Sequence, residues 1–329
     1  MRLGLPQLTA GRIANGSIFV AGVIVFALLP LFAGNYRQTE FVLVGIYFIS
    51  IIGLNIVTGY SGQISLGHGA FMGIGAYTTA IMTTQWDIGQ KWTIPVAGVL
   101  SGIVGFLFGF PALRLSGVYL ALATFGLAVA FLSLAQSSKF EKYTGGGGGL
   151  ALGVPTTPYY LTWGVALGMF LAAWLLLRGR LGRRLRAVRD APVAAVSSGV
   201  NLAITKALAF GLAAAYAGVA GSLLVIRTGF VNYLTFPVAL SILLLTGAAV
   251  GGFGSLAGMI LGALFVVYAP IVGEDLSKEA PAVAYGVILL IVLFVIPGGA
   301  AQLPARLLRL LKRLTEARYS RRTGGRVVT

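Results

Sequence analysis

Cysteine is absent from this 329-residue chain, so no disulfide framework and no thiolate metal site is available, and the redox compartment leaves no trace. Charge is scarce as well. Only 10% of the residues are charged, against about 25% in soluble domains. The shortage is sharpest on the acidic side, with 8 acidic residues facing 24 basic ones. Set beside a hydrophobic content of 57%, this balance excludes a water-soluble enzyme, a disordered chain and a fibrous protein.

The absences also limit mechanism. Glu40, Asp87, Glu141, Asp190, Glu274, Asp275, Glu279 and Glu316 stand in loops, in the tail or at the edge of an apolar run, never near its middle. Proton-driven carriers need a buried carboxylate or histidine relay, and His68 is the single histidine, which argues against proton coupling. Sodium coupling through backbone carbonyls stays open. There is no G-x-x-x-x-G-K-[ST] phosphate loop; the run Gly145–Gly149 has no following lysine and reads as a flexible linker. Energy from ATP would therefore require a separate ATP-binding subunit. Ser65 and His68 are three apart and share a helix face. Yet no H-E-x-x-H, nucleophile elbow or paired carboxylate accompanies them, so an intramembrane hydrolase is a poor fit. No cofactor or metal is expected in this chain.

What is present is apolar and long. Ten segments read as membrane helices, at about 17–34, 40–58, 64–84, 93–110, 115–136, 159–177, 206–226, 236–252, 255–272 and 281–297. The expected fold is an all-α polytopic bundle, because the runs are too continuous for barrel strands. The first segment, bracketed by Arg2 and Arg12, is expected to be a retained helix, since no small-x-small cleavage site follows it. The glycine-broken stretches 61–84 and 252–272 also suit re-entrant segments. Ten spans put both termini on one side. That side then carries 18 Lys and Arg, the other 6. The positive-inside rule makes the termini cytoplasmic. The net charge of +16 is thus read as membrane orientation, and no nucleic-acid partner is expected. Gly98/Gly102, Gly105/Gly109, Gly164/Gly168 and Gly254/Gly258/Gly262 form small-xxx-small patterns, which let helices approach closely in lipid.

Three segments carry functional signal. Gly53 to Tyr77 packs glycines, Asn55, Thr58, Ser61, Gln63, Ser65 and His68 between two apolar runs. Irregular backbone there must line protein or a wet cavity. A broken helix could aim its amides at a substrate carboxylate, or the stretch could be a tight connection with its polar groups satisfied between helices. Arg183 to Val200 has the grammar of a short cytoplasmic helix, with Asp190 as N-cap, Pro192 in the first turn, Ala194 and Ala195 within and Gly199 at the C-terminal cap. Its small residues suit close approach by another protein, and an ordinary basic orientation loop is the alternative. The tail 303–329 places Leu307, Leu310, Leu311 and Leu314 on one face among basic residues, as an interfacial helix or a docking segment would. The domain division is a permease body over 1–302, with a loop at 178–206, and that tail.

Together these segments resemble the longer, M-type permease subunits of bacterial branched-chain amino acid ABC importers, over about Phe41 to Gly299. Gly59-Tyr60-Ser61-Gly62-Gln63-Ile64-Ser65-Leu66-Gly67-His68, continued by Gly69-Ala70-Phe71 and Gly73-Ile74-Gly75-Ala76-Tyr77, is similar to the family signature. Leu113-Arg114-Leu115, Gly117, Tyr119, Ala123-Thr124, then Thr144-Gly145-Gly146 with Gly149-Leu150, and Gly251-Gly252, Gly254-Ser255, Gly258 and Gly262 match further stretches. Arg186-Ala187, Arg189-Asp190, Ala194-Ala195 and Gly199 look like the segment that docks on the ATPase. Two departures stand out. The family often has a glutamate where Val129 or Ala130 stands here, and an acidic residue in place of Pro192.

The resemblance implies half of a translocation pore in a bacterial inner membrane. Its partners would be a homologous shorter permease, two cytoplasmic ATPases binding ATP and Mg, and an extracytoplasmic substrate-binding protein. It implies Gly62, Gln63, Ser65 and His68 as pathway or gate residues, and Arg186, Arg189, Asp190, Ala194, Ala195 and Gly199 as ATPase-docking residues. A urea or short-chain amide importer shares every motif quoted. A self-sufficient sodium-coupled carrier or channel is the alternative of another class.

Overall fold

The computed structural model describes residues 35–112, 115, 117–153, 158–276, 278, 280–295 and 299. The expected first span at 17–34 and the basic tail at 303–329 lie outside the described residues. Helix α1 (Asn35–Asn55) runs on through a π-helical turn, Ile56–Tyr60. After an irregular stretch come α2 (His68–Trp86), α3 (Gln90–Ala112), α4 (Val118–Gln136) and the short α5 (Glu141–Thr144). Helix α6 (Tyr159–Arg178) leads into two short helices, α7 (Arg180–Asp190) and α8 (Pro192–Ser197). The chain then returns as α9 (Leu202–Thr228), α10 (Val238–Gly251), α11 (Met259–Leu276) and α12 (Pro281–Val295). Nine of the ten expected segments coincide with helices. Among the described residues seven are long and apolar enough to cross a membrane, namely α1, α3, α4, α6, α9, α10 with its preceding turn, and α11.

Helices α1, α2 and α9 form the centre. Along α9, Ala207, Phe210, Ala213, Ala214, Ala217 and Leu223 are buried, and along α1 so are Ile46, Ile49, Ile52 and Leu54. The outer helices instead expose apolar side chains such as Val99, Ile103 and Leu107 on α3 and Leu171 and Leu175 on α6. Such an outside suits lipid, where a helix satisfies its own backbone and needs no polar surface. Helix α2 is rich in glycine and threonine, and its burial in protein frees it from the need to be hydrophobic all round.

Glycine sets the closest contacts. Gly98 and Gly102 on α3 face Val219 and Ala215 on α9, where an added Cβ would stand 2.8 and 3.2 Å from the neighbour. Further along the same pair of helices Gly105 meets Ala214, and Gly109 meets Ala207. The small-xxx-small expectation holds on α3, and the backbones pack where no hydrophobic drive exists between lipid-soluble helices. It does not hold for Gly164 and Gly168, which face open space. The run Gly254/Gly258/Gly262 is not one helix face, because α11 begins only at Met259. A tight α10–α11 contact exists all the same, with Gly262 against Gly247 and Gly251 against Gly258.

The two ends of the bundle differ. One gathers Tyr60, the loop 252–258 and helices α7 and α8. Arg178, Arg180, Arg183, Arg184, Arg186, Arg189 and Lys206 lie there with Asp190 as the acidic exception among them. At the opposite end Leu150–Ala151 pairs antiparallel with Phe230–Val231, and Gln85 Nε2 donates to the Lys142 carbonyl at 2.8 Å. Trp86 and Trp92 are exposed beside it, as aromatic residues are at a membrane interface.

Candidate functional site

The site begins where α1 breaks. The π turn at Ile56–Tyr60 widens the helix, a distortion common at functional positions. Asn55 fixes the break from inside, since a polar side chain in the bundle needs partners. Its Oδ1 accepts from the Gly254 amide at 2.8 Å and its Nδ2 donates to the Ser255 carbonyl at 3.2 Å. The chain then reverses at Gly62, whose φ of +73° favours glycine.

Residues 61–67 run without helix, with alternating exposure. Ser61, Gln63, Ser65 and Gly67 are buried, while Gly62 and Ile64 are exposed and Leu66 is half-buried. One face of the segment therefore packs on the protein and the other is open. Side chains from neighbouring elements satisfy its backbone. Thr58 Oγ1 donates to the Gln63 carbonyl at 3.1 Å, and Thr124 Oγ1 on α4 accepts from the Leu66 amide at 2.9 Å. Ser241 Oγ on α10 accepts from the Gly69 amide at 2.9 Å, and the Gly67 carbonyl takes the Ala70 amide. These first-turn amides of α2 would otherwise be orphans. They are spent inside the protein and so are not aimed at a substrate carboxylate. Of the two arrangements open for this stretch, the connection with satisfied polar groups is the one present.

The expected pathway residues fall into two kinds. Gly62 is at the surface. Gln63, Ser65 and His68 point inward. Gln63 Nε2 donates to Ser61 Oγ. His68, 1% exposed, gives its Nε2 proton to the Ser50 carbonyl at 2.8 Å. That nitrogen is spent on α1 and not on Ser65.

Helix α7 lies directly beneath this segment. It is amphipathic, with Gly182, Leu185 and Val188 buried and its arginines outward. Two of those arginines turn to the signature segment. Arg189 Nη1 donates to the Gly59 carbonyl at 2.6 Å, and its Nε pairs with Asp190 Oδ1 at 2.8 Å. The aliphatic stem of Arg189 runs along one side of the exposed Gly62, where an added Cβ would stand 2.7 Å from its Cγ. The Arg186 guanidinium sits 6.0 Å from the Tyr60 ring centroid, within reach of a cation–π attraction. The two stretches singled out from the sequence are thus one contiguous site.

Asp190 is not the N-cap expected of it. Helix α7 continues through Asp190, Ala191 takes the cap position and Pro192 stands at the start of α8. The buried Gly182, Leu185 and Val188 make residues 180–190 a helix of their own, ahead of the one expected after Asp190. The stop is as expected. Gly199 has φ +80°, its amide reaches Val196 O, and the Val200 amide reaches Ala195 O, the paired bonds of a Schellman end. Ala195 is buried, and Ala194 and Gly199 are exposed. Val193, 84% exposed, and Val196 stand beside them, two apolar side chains at the end of the bundle that carries the charges. Sequence reasoning gave no role to Val193 and Val196, and it counted Asn55 only as one polar residue of its segment. A lone asparagine ending an apolar span is a signal that could have found the last.

Residues 38–296 match the family described as "Branched-chain amino acid transport system / permease component". The chain is 30% identical to the high-affinity branched-chain amino acid transport system permease protein LivM of Escherichia coli K12, over 88% of this chain and 76% of that one. It is 28% identical to LivH of the same organism, over 77% of this chain and 90% of the relative. It is 27% identical to BraD of Pseudomonas aeruginosa, over 75% and 89%. With its signature segment folded as one unit with the basic helix beneath it, this multi-pass membrane chain belongs to the permease family of branched-chain amino acid transport systems.

Proposed function

We propose that this chain forms one half of the translocation pathway of an ATP-driven importer for branched-chain amino acids. It would work with a homologous second permease, two separate ATPase subunits and an extracytoplasmic binding protein. The observation that carries the reading is the bond from Arg189 on α7 to the Gly59 carbonyl at the break in α1. The positive-inside rule places that end in the cytoplasm, because the basic residues gather there. A cytoplasmic ATPase would meet the outward face of α8 at Val193, Ala194 and Val196. Apolar side chains exposed to water suit a protein partner.

Coupling then has a short route. Displacing α7 and α8 moves the Arg189 guanidinium, and with it the π turn and Gly62. The segment 61–67 is held on one side by Gln63, Ser65 and His68 and is open on the other through Gly62 and Ile64. It is the gate in this reading, with the buried side chains as its mounting and the exposed backbone as its pathway face. Such a switch requires that the nucleotide states bind α8 differently. The chain has no phosphate loop of its own, so ATP and Mg would be held by the partner subunits.

Uptake of labelled leucine, valine and urea tests the proposal in cells lacking only this chain, with and without its restoration. Leucine and valine uptake should return with the chain. Return of urea uptake alone would replace the substrate and keep the architecture. Return of none would overturn the reading.

A further inference from the structure

We propose that a cavity in the half of the bundle away from α7 and α8 binds a free branched-chain amino acid as a zwitterion. The proposal rests on the transport reading above for its substrate class. The cavity has a volume of about 320 Å³ and lies between α1, α9, α10 and α11. Its apolar wall is Leu43, Leu243, Val266, Val267 and Ile271. Its charged groups are Arg227, from the last turn of α9, and Glu40, from the start of α1. Thr39 and Tyr47 complete the polar lining.

Three observations select the ligand. First, Arg227 is not in an ion pair, because among the described residues the ion pair is Arg189–Asp190 alone, and the buried Nε of Arg227 has no hydrogen-bond partner. A guanidinium beside apolar side chains needs an anion, and a planar carboxylate matches its fork. The favourable dipole at a helix C-terminus and the nearby Tyr47 hydroxyl explain a cation there, but they leave the buried Nε without a hydrogen-bond partner. Second, Glu40 lines the same cavity. A purely anionic ligand would be repelled by it, whereas a ligand with an ammonium beside its carboxylate satisfies both residues. Third, the volume is at the low end of the roughly 300–1,000 Å³ of ligand sites. It suits one small aliphatic side chain laid against the valines and leucines. An ethanolamine phospholipid shares the zwitterionic head and apolar body, so the test separates the two sources.

The test is binding of tritiated leucine to the purified full-length chain, without ATP, in nanodiscs of phosphatidylcholine and phosphatidylglycerol. Saturable binding is expected that unlabelled leucine displaces. Leucinol, which lacks the carboxylate, and 4-methylpentanoate, which lacks the ammonium, should fail to compete. Arg227→Gln and Glu40→Gln should each weaken binding by about tenfold or more. Val267→Phe, which fills the apolar floor, should abolish it with helix content by circular dichroism unchanged. No saturable binding to the unaltered chain, or equal binding in both charge variants, overturns the site. So does Arg227-dependent displacement of leucine by added phosphatidylethanolamine, which would give the cavity to a lipid. Loss of binding with leucine uptake intact in cells would sink the site and spare the transport reading. Uptake of urea alone in the cell assay would sink the transport reading itself.

Discussion

Arg189 holds two partners on one guanidinium, the Gly59 carbonyl through Nη1 and the Asp190 carboxylate through Nε. A lysine ammonium is a point charge on a flexible stem and cannot reproduce that fork. The charge-assisted bond to Gly59 is worth about 1.5–3 kcal/mol, and coupling free energies of about 1–3 kcal/mol correspond to roughly 5–150-fold effects. Arg189→Lys and Arg189→Glu are therefore expected to cut substrate-stimulated ATP hydrolysis of the assembled importer by about tenfold or more. The amount of inserted chain should stay the same, because the Arg189 side chain is over a third exposed and supports no core. Normal stimulated hydrolysis in both variants would show that the contact carries no coupling. The residue types needed here were legible in the sequence, but their pairing was not. Arg189 and Gly59 are 130 positions apart, and nothing in local spacing announces a bond from a guanidinium to a carbonyl. The inward turn of His68 was equally hidden, since a polar residue at a helix break serves a pathway or a mounting with the same sequence pattern.

Among elements, the contact between α3 and α9 tests how far glycine spacing can be trusted. At Gly105 an added Cβ would overlap Ala214 and stand 2.9 Å from the Phe210 carbonyl oxygen, which is backbone and cannot swing aside. Gly164 on α6 has nothing within 4 Å on that side. Overpacking a helix contact costs about 1–3 kcal/mol, whereas alanine favours an unobstructed helix over glycine by up to about 1 kcal/mol. Gly105→Ala should therefore lower the unfolding midpoint in detergent by several degrees, and Gly164→Ala should leave it unchanged or raise it. Equal shifts in the two variants would contradict the packing described for α3. Both glycines belong to the same sequence pattern. Only the identity of the facing helix separates them, and that is a tertiary fact. Element existence was legible from apolar length alone for α1, α3, α4, α6 and α9. Helix starts were less so. The segment before His68 stays out of the helix where Thr124 of α4 takes the Leu66 amide, and Ser241 of α10 takes the Gly69 amide in the first turn of α2; those partners lie 58 and 172 positions away.

For the whole molecule the decisive property is sidedness, and the absence of cysteine makes it directly measurable. Each engineered cysteine is the chain's single thiol, so labelling by a membrane-impermeant maleimide reads one position without background. Val193 is 84% exposed at the basic end. Gly147 is exposed at the opposite end, has no atom within 4 Å of its missing Cβ and lacks a positive φ, so a side chain is accepted there without strain. The charge argument puts Val193 inside and Gly147 outside, because cytoplasmic loops collect Lys and Arg. Val193→Cys should label in inside-out vesicles and not in intact cells, and Gly147→Cys should do the reverse. The same pattern must hold if α8 is to meet a cytoplasmic ATPase and if the Arg227 cavity is to open toward the substrate's source. Labelling of both positions from one side would break the link between the positive-inside count and the fold. Labelling with the sides exchanged would put α7 and α8 outside the cell, out of reach of ATP, and the coupling route through Arg189 would fall with it.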